Sequence, residues 1–120
     1  MTTSPPQPKR GEIWLINLDP TVGVEMKKTR PVVVISSDAA GRLSIKLITP
    51  ITAWDARYSG NFWHVQVNPT ARNGLSKESA VDILQTRGVD TSRFIKKVGR
   101  LDAVLMENIA AALAALVEYS

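Results

Sequence analysis

Residues 11–36 read GEIWLINLDPTVGVEMKKTRPVVVIS, and the rest of the chain is expected to fold around them. Two apolar runs, residues 13–18 and 31–35, flank a polar, basic loop at residues 19–30. Both runs have strand length and are rich in Ile, Val and Trp, which favours buried strands. The loop is longer than a hairpin needs, and long loops between rigid strands are commonly functional.

Arg30 precedes the second apolar run, where Pro31 presets an extended backbone. A guanidinium at the start of a rigid strand, beside a loop that carries Lys27 and Lys28, is suited to binding phosphate. The alternative is a solvated hairpin loop whose arginine packs on a neighbour, and spacing alone favours that alternative.

Composition places the chain among ordinary globular proteins. Its 120 residues suit one domain, and 44% of them are hydrophobic while 22% are charged. Fifteen basic and eleven acidic residues give a net charge of +4, which fits a polyanionic partner. Because cysteine is absent, neither a disulfide framework nor a thiolate metal site is available.

The sequence predicts a flexible N-terminal arm at residues 1–8 and one domain at residues 9–120. The first ten residues, MTTSPPQPKR, contain three prolines and no apolar signal-peptide core. The longest apolar segment lies near the C-terminus, where Glu107, Asn108 and Glu118 argue against a membrane span. We therefore expect a soluble cytosolic protein.

Five short strands and one closing helix are expected, which indicates a mainly β fold with a small, strongly bent sheet or partial barrel. Asp90 is expected to cap a short turn through Lys97, and Asp102 a helix that runs to about Tyr119. Pro50 is expected to allow only a bulge or a strand end. The predicted strands are residues 12–18, 32–36, 43–49, 62–67 and 79–87.

The usual catalytic constellations are missing from the sequence. One histidine, no cysteine and scattered carboxylates give no recognised metal-ligand spacing, so neither a metal nor another cofactor is expected. Nothing marks a nucleophile elbow or a glycine-rich phosphate loop. His64, on a strand of alternating character, is most simply an exposed or satisfied side chain.

The motif G-E-I-W…L-D-P…G-x-E-x-x-x-x-R-P-V-V-V-I-S resembles the opening of the MazF/PemK family of toxin endoribonucleases. The resemblance covers nearly the whole chain from Lys9, in order and with plausible spacing. It implies an SH3-like small barrel of about five to seven strands with a C-terminal helix, working as a homodimer. After the opening, the matching segments are Asn73-Gly74-Leu75-Ser76, Leu84-Gln85-Thr86-Arg87 and Gly99-Arg100-Leu101.

The resemblance also implies an activity: sequence-specific, metal-independent cleavage of single-stranded mRNA, neutralised by a MazE-like antitoxin. In such cleavage the 2′-hydroxyl of RNA attacks the adjacent phosphate. The protein therefore has only to align this attack, stabilise the extra charge on the phosphorane and move protons. Arg30 and Thr52 match the family's catalytic arginine and threonine. Some plasmid-encoded relatives also use an aspartate beside the Q-x-R segment, where this chain has Leu84. Its nearest acid, Asp82, lies two residues earlier, which puts an aspartate base in doubt.

Basic and amide side chains elsewhere are candidates for RNA binding. Lysine and arginine would bind phosphates, Gln85 could read a base edge, and Trp54 and Tyr58 could stack on bases, whereas Trp14 and Trp63 are expected in the core. The alternatives are a gyrase-poisoning toxin of the same fold and a non-catalytic SH3-like nucleic-acid-binding module. The candidate RNA-binding residues are Lys27, Lys28, Arg57, Gln85 and Arg87.

Overall fold

The computed structural model describes residues 7–20, 22–25, 28–40 and 43–119, and within them seven antiparallel strands form one sheet, followed by an α-helix. The predicted mainly β fold with a C-terminal helix is therefore confirmed. No helix of the described part is long and apolar enough to cross a membrane. The elements are β1 (Glu12–Asn17), β2 (Thr29–Val34), β3 (Ile45–Ala53), β4 (His64–Val67), β5 (Ser79–Asp82), β6 (Arg87–Asp90), β7 (Phe94–Arg100) and α1 (Ala103–Leu116).

The sheet has the strand order β4-β5-β3-β2-β1-β7, and β6 also pairs with β3. The nine-residue β3 therefore belongs to two ladders on one edge, pairing with β6 through Ile48↔Arg87 and with β5 through Thr52↔Ala80. Its other edge pairs with β2, which lies between β1 and β3, as the apolar character of residues 32–36 predicts.

The core has two parts because successive side chains of a strand point to opposite faces. Val33 belongs to one part, which α1 covers through Met106, Ile109 and Ala112. The other part contains Val32 and Val34 of β2, with Trp14 packed against it, while Trp63 packs on the first. Both tryptophans thus contribute to the core, as predicted.

The helix begins where the sequence predicts. Asp102 has extended backbone angles, and its side chain accepts a hydrogen bond of 2.9 Å from the backbone N–H of Leu105, which satisfies one of the unpaired donors of the first turn. Leu101 and Ile109 are buried, and Leu105 and Leu116 pack against the same core. The apolar stripe formed by these residues therefore faces the sheet.

The predicted strand at residues 79–87 is wrong, because a 3-10 turn at Ile83–Gln85 divides it into β5 and β6. From Val81 to Arg87 the chain advances six residues while the facing β3 advances only three, from Ile51 back to Ile48. The surplus residues leave the ladder as a turn. The Thr86 hydroxyl closes this turn by donating a hydrogen bond of 2.6 Å to the carbonyl of Ile83.

The short turn predicted through Lys97 is also wrong, because only Thr91–Arg93 forms a 3-10 turn and β7 follows it. Phe94 is buried and meets the Trp14 ring edge-on with centroids 5.6 Å apart, while Lys97 forms an ion pair of 2.9 Å with Glu12 of β1. These tertiary contacts fix β7, whose central side chains are exposed without alternation and so carry no strand pattern.

β2 begins earlier, and β3 ends later, than the sequence predicts. β2 begins at Thr29, and β3 continues through Pro50 to Ala53. Pro50 lies where β3 exchanges β6 for β5 along one edge, so the missing N–H interrupts no continuous ladder there. As a result Arg30 and Thr52 both lie inside strands rather than beside them.

Candidate active site

An open groove with a volume of about 460 Å³ lies between the ends of β2 and β3 and the segment that precedes β5. It contains both predicted catalytic residues, Arg30 and Thr52, and we call it groove A. Its lining residues are Lys28, Thr29, Arg30, Pro31, Ile51, Thr52, Ala53, Leu75, Ser76, Lys77 and Ser79.

The sheet register explains why Arg30 and Thr52 share this groove. β2 and β3 pair through Val32↔Pro50, and the same antiparallel register continued by two residues sets Arg30 opposite Thr52. Directly opposed residues of antiparallel strands project from the same face. On its other side, Thr52 pairs with Ala80 of β5, so rigid strands hold both positions.

Groove A is rich in positive charge. Lys28, Arg30 and Lys77 line it, and its described lining residues include neither a carboxylate nor a histidine. The hydroxyls of Thr52 and Ser76 add hydrogen-bond donors. Cations and hydroxyl donors converging in one groove can bind a phosphodiester and stabilise extra negative charge on it.

The sequence analysis missed Ser76 and Lys77 as site residues, although the segment just before them carried a turn signal. Asn73 is buried, and its side-chain oxygen accepts hydrogen bonds of 3.0 Å from the N–H groups of Thr70 and Leu75. Gly74 has φ +69°, and a Cβ there would lie 2.3 Å from the carbonyl oxygen of Val98. The N-G dipeptide therefore builds the turn that brings Ser76 and Lys77 to groove A.

A second groove, groove B, has a volume of about 530 Å³ and contains Gln85 and Arg87. Arg87 donates a hydrogen bond of 3.4 Å to the carbonyl of Leu18, at the base of the loop that also ends at Lys28. Lys28 lines groove A, and Val24 and Glu25 of the same loop line groove B, so this loop borders both grooves. The lining residues of groove B are Leu18, Val24, Glu25, Pro50, Leu84, Gln85, Thr86 and Arg87.

Of the predicted RNA-binding residues that the structure describes, Arg57 lies in neither groove. Arg57 is exposed, and its Nε and terminal nitrogen each donate a hydrogen bond of 3.0 Å to the two carboxylate oxygens of Asp55, which neutralises its charge locally. It is not a lining residue of groove A or B. Lys27 lies outside the described residues.

The aromatic side chains expected to stack on bases are in contact with one another. The Tyr58 ring stacks on His64 with centroids 3.9 Å apart and meets Trp54 edge-on at 5.8 Å. One face of Tyr58 is therefore covered by protein. His64 itself is half-buried and in contact with Asp82 and Tyr58, which agrees with its interpretation from the sequence as a satisfied side chain.

His64 faces Asp82 directly across β4 and β5, with Nε2 of the imidazole 3.7 Å from Oδ2 of the carboxylate. The other carboxylate oxygen, Oδ1, is buried and has no hydrogen-bond partner among the described residues. Burial raises the pKa of Asp82 above its ordinary value of 3.8, and the nearby His64 opposes that rise only in part. Asp82 lines neither groove A nor groove B, so the structure does not place it with Arg30.

This half-buried carboxylate predicts an unusual dependence of stability on pH. Because the pKa of Asp82 is raised on folding, its contribution to stability is fully present below its unfolded value and is lost as pH rises through the folded value. We expect Asp82→Asn, which cannot ionise, to gain stability relative to the parent chain as pH rises above the ordinary value of 3.8. Urea unfolding at several pH values measures this difference.

Asp90 provides the matched control, because hydrogen bonds from Ser92 lower the pKa of Asp90. Its carboxylate stabilises the fold increasingly as pH rises towards its unfolded value of 3.8, so Asp90→Asn should lose stability relative to the parent below that pH and show no further change above it. If both variants change in the same direction with pH, the account of Asp82 is incorrect.

Among the described residues, no group of three or more His, Asp or Glu side chains is arranged to hold a metal ion. The ionisable groups of groove A are all basic, which is the donor set for an anion and not for a cation.

Comparison with known proteins agrees with this fold. The family model for PemK-like, MazF-like toxins of type II toxin–antitoxin systems matches residues 9–117. Endoribonuclease EndoA of Bacillus subtilis is 30% identical over 105 residues, covering 88% of this chain and 90% of that protein. Endoribonuclease MazF9 of Mycobacterium tuberculosis is 31% identical over 111 residues, covering 88% and 92%.

A crystal structure of MazE–MazF from Deinococcus radiodurans has the same fold, with a TM-score of 0.72 at 23% identity over 94% of this chain and 98% of that one. The fold is thus that of MazF toxins, with strands and a C-terminal helix arranged alike. The chain belongs to the PemK-like, MazF-like family of toxins of type II toxin–antitoxin systems.

Proposed function

We propose that this toxin cleaves single-stranded mRNA in groove A by a metal-independent reaction, with Arg30 and Thr52 as catalytic residues. Membership of the family, together with similarity to EndoA and MazF9 over most of the chain, makes the protein an endoribonuclease. What we propose in addition is where on the protein the RNA is cut and by which chemical steps. The observation that carries it is the meeting of Arg30 and Thr52 in a groove with two lysines and no acidic lining residue.

The chemistry needs no protein nucleophile. The 2′-hydroxyl of the nucleotide before the scissile bond attacks the adjacent phosphorus, a P–O2′ bond forms, and the bond from phosphorus to the 5′-oxygen of the next nucleotide breaks. The attacking 2′-hydroxyl releases its proton to solvent water and the leaving 5′-oxygen takes up a proton, so no net proton is consumed. The products are a 2′,3′-cyclic phosphate and a 5′-hydroxyl. Catalysis then consists of alignment and of stabilising the charge that develops on the phosphorane oxygens.

Arg30 and Thr52 divide this work. Arginine stays protonated in proteins and is therefore a poor general base at neutral pH, so the Arg30 guanidinium acts as an electrostatic clamp on the scissile phosphate and donates toward the leaving 5′-oxygen. The Thr52 hydroxyl donates a hydrogen bond to a non-bridging oxygen. Both side chains stand on paired strands, which keeps the donors in place before the charge develops.

RNA flanking the scissile bond extends from groove A along the loop base to groove B. Lys28 binds phosphate at the boundary, and in groove B the Arg87 guanidinium binds phosphate while the Gln85 amide reads a base edge. Lys27, one residue before Lys28, belongs to the same basic segment. We omit Arg57, because Asp55 already satisfies its guanidinium.

The working protein is proposed to be a cytoplasmic homodimer that binds a MazE-like antitoxin. The antitoxin partner is supported by the structural similarity to the Deinococcus radiodurans complex and by the net charge of +4, which favours an acidic peptide. The homodimer is supported by Leu43, Ile45 and Leu47, exposed apolar side chains that alternate along one face into β3. Sedimentation at about twice the monomer mass, and displacement of non-cleavable RNA by the antitoxin, would support this assembly; an active monomer would contradict it.

The direct test of the proposed function is incubation of the purified protein with a long RNA, followed by chemical mapping of both new ends. We expect cuts at one short sequence, each leaving a 2′,3′-cyclic phosphate and a 5′-hydroxyl. Fragments that begin with a 5′-phosphate would contradict attack by the 2′-hydroxyl. Absence of any RNA cleavage would favour the gyrase-poisoning or non-catalytic alternative.

A further inference from the structure

The segment that leads into β5 brings Lys77 to groove A, on the side away from Lys28. Lys77 is exposed, and its ammonium has no ion pair or hydrogen bond with any described residue. The carboxylate of its neighbour Glu78 accepts a hydrogen bond from the Gln66 amide on β4, and it forms no ion pair with Lys77 among the described residues. An uncompensated lysine in a groove that binds a polyanion is a candidate ligand contact.

The backbone around Lys77 is fixed relative to Thr52. Ser79 pairs with Ala53, and the ladder is extended by a hydrogen bond of 3.0 Å from the N–H of Trp54 to the carbonyl of Glu78. The buried Ser79 hydroxyl donates a hydrogen bond of 2.8 Å to the carbonyl of Lys77 itself. Lys77 is therefore held by the sheet that holds Thr52, although it lies in a connecting segment.

The place of Lys77 relative to the sheet indicates which phosphate it reaches. Lys77 precedes Ala80, the cross-strand partner of Thr52, by three residues and lies in a bend just before β5 begins at Ser79. Arg30 lies on the β2 side of Thr52, whereas Lys77 lies on the β5 side. This offset suits contact with a phosphate adjacent to the one that Arg30 and Thr52 contact.

We propose that Lys77 binds a phosphate next to the scissile one, so that groove A holds two consecutive phosphates of the substrate. Arg30 and Thr52 contact the reacting phosphate, and Lys77 positions its neighbour. This inference rests on the proposed RNA cleavage in groove A. It assigns Lys77 to substrate binding and leaves bond breaking to Arg30 and Thr52.

A residue that binds ground state and transition state equally changes KM and leaves kcat nearly unchanged. Lys77→Ala should therefore raise KM roughly two- to five-fold, the scale of one surface charge contact. The plot of log affinity against log salt should become shallower by about 0.7, the contribution of one single-stranded phosphate contact. Lys77→Arg, which keeps the charge, should restore both values. The matched control is Lys96→Ala, an exposed lysine on β7 outside groove A, which should change neither.

The decisive experiment is a double-mutant cycle between Lys77 and the RNA. Single methylphosphonate linkages, which are uncharged, replace the phosphates beside the scissile bond one at a time, and the initial rates of wild type and Lys77→Ala are compared. At one adjacent position, the methylphosphonate should lower the initial rate of wild type but not that of Lys77→Ala, because this variant already lacks the contact between the lysine and that phosphate. Equal losses for both proteins at each adjacent position would overturn the assignment of Lys77.

The two levels of the proposal fail differently in this experiment. If wild type does not cleave the unmodified RNA, the proposed function is wrong. If wild type cleaves it and the cycle shows no coupling, the function stands and only the inference about Lys77 is wrong.

Discussion

Replacing Arg30 with alanine should lower the turnover of RNA cleavage by at least ~10²-fold, the scale observed when one preorganised donor to a developing charge is removed. Arg30 stands on β2, and its guanidinium lies in groove A with Thr52. Arg30→Lys should recover little of the activity, because a compact ammonium does not replace the planar fork of the guanidinium. Single-turnover rates with a short RNA that contains the mapped cleavage site measure the effect.

The control for a general loss of arginine is Arg72→Ala, because Arg72 is exposed and lines neither groove A nor groove B. That variant should cleave at nearly the parent rate. Circular dichroism and thermal unfolding establish that each variant is folded. A folded Arg30→Ala protein with near-normal cleavage would refute the assignment of the site.

Removing the Thr52 hydroxyl should also reduce turnover, by roughly 10²- to 10³-fold if it donates to a non-bridging oxygen in the transition state. Thr52→Val is the sharpest variant because it keeps the β-branched shape that suits the interior of β3. Thr52→Ser should retain part of the activity, since the hydroxyl is preserved. Equal rates for the Val and Ser variants would show that packing, and not the hydroxyl, accounts for the loss.

The opening segment of the sequence predicts much of this site because its strands are determined by local patterns. The apolar runs of residues 11–36 predict β1 and β2, and the family resemblance predicts Arg30 and Thr52 as the catalytic residues. Their meeting requires the antiparallel register of β2 and β3, which the structure supplies. Both strands extend further than predicted, so that they include Arg30 and Thr52. In β3, pairing with the neighbouring strands outweighs the local effect of Pro50.

The features that the sequence did not reveal depend on pairing between distant segments. Lys77 reaches groove A only because β5 pairs with the end of β3, and nothing within its own segment indicates that contact. The His64–Asp82 pair joins residues eighteen positions apart through the β4–β5 register. β7 was missed for the same reason, since its contacts with β1 replace the alternation that a strand usually shows.

The central claim is that the substrate's own 2′-hydroxyl, and no metal ion, attacks the phosphate held by Arg30 and Thr52. It is tested most directly with two RNAs that differ only at the scissile nucleotide, one with ribose and one with 2′-deoxyribose, each incubated with the protein in excess EDTA. We predict full cleavage of the ribose substrate and none of the deoxyribose substrate. Loss of cleavage of the ribose substrate in EDTA, or cutting of the deoxyribose substrate, would contradict the account.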